Sequence, residues 1–213
     1  MSVDRFGFSK EIKKIIESGA KEIVITGVNI GDFGKSTGET FLDLIKELDK
    51  VKGIERYRIS SIEPNLLTDE IIDFVAHSRS FMPHFHIPLQ SGCDATLQRM
   101  NRKYTAEEYK TGCDILRKYF EHPAITTDVI VGFPGETEEE FAITKSFLEK
   151  IHFYEMHIFQ YSKRQGTRAA VMKDQVPENT KKVRSADLIA LGDKMSQEFR
   201  AHYLGKEEEV LFE

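Results

Sequence analysis

Short apolar segments alternate with amphipathic helical segments along almost the whole chain, and this alternation limits the possible folds most. The apolar segments are rich in β-branched residues and too brief for helices, which predicts strands buried on both faces. Five such strands are predicted, at residues 22–27, 56–63, 85–90, 125–132 and 156–161. Alternating strands and helices indicate an α/β fold with parallel strands and right-handed crossovers.

The chain opens on a helix that has no strand before it. Helices are predicted at residues 9–18, 41–52, 68–78, near Leu97, from Thr105 onward, and at 137–151 and 177–203. A parallel barrel or a doubly wound sheet would normally begin with a strand. The pattern therefore points to a truncation at the N-terminus, with the first strand missing, and a natural helical start is the alternative. Residues 207–212 look like the first strand of a further segment after this domain.

Composition and charge exclude several classes of protein. Apolar residues make up 40% of the chain, which is enough for a core, and the net charge of −5 argues against a surface that is basic throughout. The chain has no apolar run of about 18 residues and no signal peptide, which predicts a cytoplasmic protein. Its two cysteines, Cys93 and Cys113, lie too far apart for a C-x-x-C metal site. We expect two reduced, inert thiols.

Polar residues, glycine or proline follow every predicted strand. Each signal has a simpler interpretation, since Gly-Phe-Pro-Gly-Glu-Thr at 132–137 could be a turn into a capped helix, and Glu63 could cap the helix after it. In parallel βα folds, however, ligands bind at the carboxyl ends of the strands. The convergence of five strand ends on one opening therefore favours a ligand site.

Five sequence motifs together resemble the radical S-adenosylmethionine (SAM) methylthiotransferase family. They are Ser-Ile-Glu-Pro at 61–64, His-Ile-Pro-Leu-Gln-Ser-Gly at 86–92, Met-Asn-Arg-Lys-Tyr-Thr at 100–105, Thr-Asp-Val-Ile-Val-Gly-Phe-Pro-Gly-Glu-Thr at 127–137 and Tyr-Ser-Lys-Arg-Gln-Gly-Thr at 161–167. The similarity covers essentially the whole chain. Residues 26–34 look most like the branch that acts on N6-threonylcarbamoyladenosine in tRNA. The branches that act on isopentenyladenosine in tRNA or on a ribosomal protein are less similar.

The resemblance implies the fold and activity of the complete enzyme. It implies a partial (β/α) barrel of the TIM type that lacks its first strand, with a radical SAM core at residues 1–205 and the start of a truncated β-domain at residues 206–213. The complete enzyme would add a methylthio group to C2 of an N6-modified adenosine at position 37 of tRNA. Members of the family carry two 4Fe–4S clusters, one of them held by a C-x3-C-x2-C loop, and a small TRAM-like RNA-binding β-domain. Because this chain lacks that loop, we expect no metal site, no catalytic residue and no activity in it alone. The implied partner is tRNA, bound through the complete protein, with no membrane.

The resemblance also implies which residues bind SAM: Glu63, Gln90, Ser91, Arg102, Asp128, Gly132, Phe133 and Tyr161. Glu63 and Gln90 match positions that hydrogen-bond the ribose hydroxyls, and Asp128 would bond the ribose or orient Gln90. Arg102 matches an arginine that pairs with the SAM carboxylate, for which a guanidinium is well suited. Without the resemblance, Arg102 would be interpreted as a solvated cation at a helix end.

The adenine would lie between two segments. The backbone around Gly132 and Phe133 would approach it, and a glycine there would avoid a collision with the ligand. Tyr161 would line the other side with Phe159, for which plain core packing is the alternative.

A local basic cluster, Lys163, Arg164 and Arg168, lies beside the predicted opening and could contact tRNA phosphates. A solvated loop is the alternative. Two other classes of function stay open. A phosphate-binding βα-barrel lyase or isomerase would need a glycine-rich phosphate loop, which Pro134 interrupts. A non-catalytic RNA-binding module would need a strongly basic face.

Overall fold

The computed structural model describes residues 12, 14–27, 30 and 33–211. Within them, five parallel strands form an α/β sheet in the order β1-β2-β3-β4-β5, which confirms the predicted fold class. The strands are β1 (Glu22–Ile25), β2 (Arg56–Ile59), β3 (Phe81–His86), β4 (Ala124–Val131) and β5 (Glu155–Gln160). The helices are α1 (Phe41–Asp49), α2 (Asp69–His77), α3 (Asp94–Arg99), α4 (Ala106–Tyr119), α5 (Glu138–Ile151) and α6 (Glu178–Ala201).

The chain divides into two compact units. The first comprises Met1–Pro88 with Glu107–Ile125, and the second comprises Leu89–Ala106 with Thr126–Glu213. The sequence predicts one domain over residues 1–205 and gives no sign of this division. Among the described residues, no helix combines the length and apolarity that crossing a membrane requires.

The first unit contains strands β1, β2 and β3. Strand β1 pairs with β2 from Glu22 opposite Arg56 to Ile25 opposite Ile59. Helix α2 packs against β3 and begins at its predicted cap, Thr68, whose side chain accepts the Ile71 N–H. Large side chains from several elements of this unit are fully buried, among them Ile45, Leu48, Tyr57, Ile59, Ile72 and Phe85.

Strand β3 lies four residues earlier than the sequence predicts. The predicted strand covers residues 85–90, whereas β3 runs from Phe81 to His86 and contains Pro83. Its pairing with β2 shifts register between Tyr57 opposite Phe81 and Ile59 opposite Phe85. Since proline has no N–H to donate, it fits a strand at such an irregularity. The predicted position is wrong because the local sequence does not show that β2 accepts a proline at this point of β3.

The second unit is built on β4, β5 and α6. Strands β4 and β5 pair without a break from Thr126 opposite Glu155 to Val131 opposite Gln160. Helix α6 packs against β5 and buries Leu188 and Met195. Helix α5 begins with a capping box, in which the Thr137 side chain accepts the Glu140 N–H and the Glu140 carboxylate accepts the Thr137 N–H.

The two ends of the chain correspond only partly to the predicted elements. Residues 12 and 14–17 are helical, as predicted, whereas the predicted capping Ser9 lies outside the described residues. Residues 207–211, which are predicted to begin a strand, have no regular secondary structure. A strand needs a hydrogen-bonded neighbour. The assignment of residues 206–213 to a further β-domain stays a prediction.

Candidate functional site

The second unit holds all of the predicted SAM-binding residues except Glu63. Gln90 follows β3 and joins β4 through a single bridge to Val129. Its N–H donates to the Asp128 carbonyl at 2.8 Å, and its carbonyl accepts the Ile130 N–H at 2.9 Å. Gln90 is buried and has φ of 71°, which residues other than glycine rarely adopt. These constraints fix the backbone that carries the Gln90 amide side chain.

Tyr104 supports the same segment from the loop before α4. Its hydroxyl donates to the Leu89 carbonyl at 3.0 Å, one residue before Gln90. Burial raises the pKa of Tyr104. Sequence reasoning places this tyrosine within a motif but gives it no role, because nothing in the local spacing links it to Leu89.

Ser91 is buried, and its hydroxyl is used by the fold. The Ser91 Oγ lies 3.1 Å from the Thr144 Oγ1 and accepts the Cys93 N–H at 3.2 Å. These bonds join α5 to the segment that leads into α3. The predicted contact between Ser91 and SAM stays a prediction.

Strand β4 ends in a tight loop that bonds to its own glutamate. Gly132 has φ of 72°, and the Glu136 carboxylate accepts the N–H groups of Gly132 and Phe133 at 2.8 and 3.3 Å. A phosphate group would need those same amides free. The loop therefore does not favour a phosphate-binding lyase or isomerase, since its two amides are already paired.

The structure explains the glycine at position 132 without any ligand. A Cβ at this position would overlap the Cγ of Lys181, and the left-handed backbone already disfavours any other residue. These two features explain the glycine at position 132 even if no adenine lies beside it. The sequence has no means of indicating Lys181, which comes from α6.

Two aromatic rings meet where β4 and β5 end. The Tyr161 N–H donates to the Val131 carbonyl at 2.9 Å, which extends the pairing of the two strands by one bond. The rings of Phe133 and Tyr161 lie edge to face with centroids 5.3 Å apart. The Tyr161 hydroxyl is buried and has no hydrogen-bond partner within the described part of the chain. An unpaired buried hydroxyl is costly, so this group is suited to bind a polar ligand atom.

Glu136 is paired with an arginine that sequence analysis misses. The Arg184 Nη1 donates to the Glu136 Oε1 at 2.9 Å and to the Glu136 carbonyl at 3.2 Å, and its Nη2 donates to the Glu138 carboxylate at 3.0 Å. Burial raises the pKa of Glu136, and Arg184 and the two loop amides partly offset that shift. No local signal could reveal this pair, because Arg184 lies in α6.

Arg102 and Asp128 occupy different settings. Arg102 is exposed just after α3, and its N–H donates to the Leu97 carbonyl at 2.9 Å. Asp128 lies within β4, half-buried and opposite His157 of β5. Both residues belong to the unit that holds Gln90 and Tyr161.

Glu63 belongs to the first unit and is described there alone. It follows Ser61, whose φ of 59° ends the extended run, so β2 stops at Ile59 and does not reach the predicted residue 63. Glu63 precedes a short 3-10 turn, Pro64–Leu66, and makes no side-chain capping bond to it. The alternative role of Glu63 as a helix cap is therefore wrong. Its predicted role in binding the ribose stays a prediction.

The predicted basic cluster is exposed. Lys163 and Arg164 lie on the loop after β5, which turns where Thr167 donates to the Arg164 carbonyl, and Arg168 begins the short 3-10 helix Arg168–Val171. Phe159, near the end of β5, is 53% exposed, so core packing does not explain it. Exposed cations and aromatic rings are the side chains that surfaces binding nucleic acids use.

The chain is similar to curated tRNA-modifying enzymes over nearly its whole length. It is 47% identical over 204 residues to threonylcarbamoyladenosine tRNA methylthiotransferase MtaB of Bacillus subtilis (strain 168), covering 95% of this chain and 45% of that protein. It is 42% identical over 206 residues to a tRNA-2-methylthio-N(6)-dimethylallyladenosine synthase of Acetivibrio thermocellus, covering 96% and 43%. These similarities confirm the resemblance inferred from the motifs. The chain spans less than half the length of these relatives.

Solved structures and a family model agree on the fold. Coproporphyrinogen III oxidase (HemN) from Escherichia coli, a radical SAM enzyme, aligns with a TM-score of 0.65 at 18% identity, covering 88% of this chain and 44% of that one. The radical SAM methyltransferase TsrM from Kitasatospora setae aligns with a TM-score of 0.59 at 13% identity, covering 74% and 29%. Residues 8–148 match the model of the Radical SAM superfamily, and the chain belongs to this superfamily.

Proposed function

We propose that this chain is the SAM-binding part of a longer tRNA methylthiotransferase. The complete enzyme would add a methylthio group to C2 of an N6-modified adenosine at position 37 of tRNA. The similarity to the methylthiotransferases over about 95% of this chain carries the proposal. N6-threonylcarbamoyladenosine is the first candidate substrate because the identity to MtaB of Bacillus subtilis is 47%, against 42% to the synthase of Acetivibrio thermocellus, and isopentenyladenosine is the second candidate.

Superfamily membership implies SAM and a 4Fe–4S cluster, and the second unit has residues that suit SAM. The Gln90 amide and the unpaired Tyr161 hydroxyl offer polar atoms for an adenosyl group. Phe133 is buried and packs edge to face on the half-buried Tyr161, and these rings would form the apolar wall against which the adenine lies. Bound SAM supplies the radical chemistry, whereas the protein binds it, orients it and excludes water. Asp128, Arg102 and Glu63 would complete the contacts to the ribose and the carboxylate.

The cysteines of this chain do not suit the cluster. Only two are present, both are buried and free, and iron–sulfur clusters of this kind need more cysteine ligands. Burial also raises the pKa of the Cys113 thiol to about 12, which disfavours the thiolate that would bind iron. We therefore place the ligands of both proposed clusters outside these 213 residues, and we expect the chain alone to be inactive.

The loop after β5 is the proposed contact to tRNA. Lys163, Arg164 and Arg168 are exposed and would meet phosphates, and Phe159 offers a ring on which a base could stack. Because the net charge of the chain is −5, this positively charged contact covers only a small area. Most of the affinity for tRNA would come from other parts of the complete enzyme.

Mass spectrometry of digested tRNA tests the proposal. The longer protein with its clusters restored should produce the 2-methylthio derivative of one N6-modified adenosine, and the identity of that product distinguishes the two candidate substrates. Gln90→Ala and Tyr161→Phe should weaken SAM binding. Gln98→Ala, an exposed glutamine on α3, is the matched control. If no 2-methylthio product forms, or if Gln90→Ala binds SAM as well as Gln98→Ala does, the corresponding part of the proposal is wrong.

A further inference from the structure

Helix α6 buries two cationic side chains on the face that meets the strand ends of the second unit. The side chains of Lys181 and Arg184 are 3% and 6% exposed. Burying charge is expensive, and a buried ion pair is often no more stabilising than apolar residues of the same volume. Two buried cations on one helix therefore call for an explanation other than stability.

Arg184 acts on the loop after β4 through Glu136. Its Nη1 bonds the Glu136 Oε1 at 2.9 Å, and the other carboxylate oxygen, Oε2, accepts the Gly132 and Phe133 N–H groups. The guanidinium thus pairs with the carboxylate on the side away from the loop, and the carboxylate accepts both loop amides. The chain of contacts runs from α6 to the backbone of Phe133, whose ring belongs to the proposed adenine surface.

Lys181 acts on the residue after β5. Its Nζ donates to the Tyr161 carbonyl at 3.0 Å and to the Glu178 Oε1 at 2.7 Å, and it lies 5.6 Å from the centroid of the Tyr161 ring. The aliphatic part of Lys181 also fills the space beside Gly132. Lys181 therefore contacts both the loop after β4, which carries the Phe133 ring, and the residue after β5, Tyr161.

We propose that Arg184 and Lys181 are positioning residues for the adenosyl-binding surface formed by Phe133 and Tyr161. They hold its shape from behind without touching the ligand. This inference rests on the proposed function in one respect, namely that these rings receive the adenosyl group of SAM. The arrangement of the side chains behind the loop does not depend on that assignment.

Hydrogen–deuterium exchange of the ligand-free, 213-residue chain tests whether Arg184 holds the loop after β4 in place. Arg184→Met should speed exchange at the Gly132 and Phe133 amides by roughly tenfold, because their acceptor, Glu136, loses the partner that orients its carboxylate. Arg184→Lys should recover part of the protection. Arg200→Met, an exposed arginine on the same helix, is the control and should leave exchange unchanged. Equal exchange in the wild type and Arg184→Met overturns the inference.

Steady-state kinetics with SAM, in the complete enzyme with its clusters restored, test whether Arg184 contributes to SAM binding. Arg184→Met should raise the KM for SAM by about fivefold or more while kcat at saturating SAM changes by less than about twofold. Arg184→Lys should restore much of the affinity. Faster exchange with an unchanged KM would mean that the pair only supports the fold, which overturns the positioning role.

The two proposals fail in different ways. If the complete wild-type enzyme makes no 2-methylthio product, the proposed function is wrong, whereas the exchange result still decides whether Arg184 holds the loop. If Tyr161→Phe and Gln90→Ala both bind SAM normally, the adenosyl surface is misassigned, and the positioning role falls with it.

Discussion

Replacing Gly132 by alanine separates two costs that the structure predicts at this position. The left-handed backbone, with φ of 72°, destabilises the folded state by about 1–2 kcal/mol when the residue has a Cβ. Alanine offsets about 0.4–1 kcal/mol of this, because it lowers the conformational entropy of the unfolded chain. The added Cβ also overlaps the Cγ of Lys181, part of a buried stem that cannot swing away freely, and such overpacking costs about 1–3 kcal/mol. We expect Gly132→Ala to lower the free energy of unfolding by about 2–4 kcal/mol.

Gly166 provides the matched control for this substitution. It lies in the same unit with φ of 83°, and a Cβ there would meet nothing within 4 Å. Gly166→Ala should therefore cost only the backbone strain, about 1 kcal/mol. Because the chain has no tryptophan, urea unfolding followed by far-UV circular dichroism is the suitable assay. Equal losses for the two variants would refute the claim that Lys181 restricts position 132.

Three further predictions concern burial and capping. Cys113, whose pKa burial raises to about 12, should not react with a thiol reagent at about pH 8 until the chain unfolds, and labelling in the native state would contradict its burial. Burial also raises the pKa of Tyr57 to about 12, so both groups hold their protons more tightly when folded. The pKa values in the unfolded chain are near 9 for Cys113 and near 10 for Tyr57. The stability that these protonated groups contribute is fully present below those pKa values and is lost as the pH rises toward about 12. Urea midpoints should accordingly fall between about pH 8 and about pH 11, and the fall should be smaller in Cys113→Ala. Thr137→Ala removes the capping box at α5 and should cost about 1 kcal/mol in the same unfolding assay, and an unchanged midpoint would argue against the cap.

The sequence predicts best the elements whose signals are local. Strand β4 and helix α5 agree with prediction to within one residue, because a β-branched run and a capping threonine report directly on backbone preference. Strand β3 is misplaced because whether a proline is tolerated depends on the neighbouring strand. Strand β2 is predicted too long, since nothing in the local sequence indicates the positive φ of Ser61.

Within the site, the sequence predicts which residues lie near the strand ends but not what holds them. Gln90, Asp128, Phe133 and Tyr161 do lie in one unit. Arg184 is not foreseen, because it lies 48 residues from Glu136 and helix periodicity does not distinguish a buried charged residue from a solvated one. Contacts of this kind arise from packing, which a single sequence does not report.

The backbone amides of the glycine-rich loop after β4 are all paired within the protein or missing, which argues against phosphate binding at this loop. The Gly132 and Phe133 amides are bonded to Glu136, and the Gly135 amide is bonded to the Asp174 carbonyl at 2.6 Å. Pro134 has no amide to offer. The described residues 132–135 therefore present no free backbone donor to an anion. Phe133 is buried and packs edge to face on Tyr161, and these are the two rings that we propose to lie against the adenine. In that proposal, Lys181 and Arg184 support the loop and do not contact the ligand.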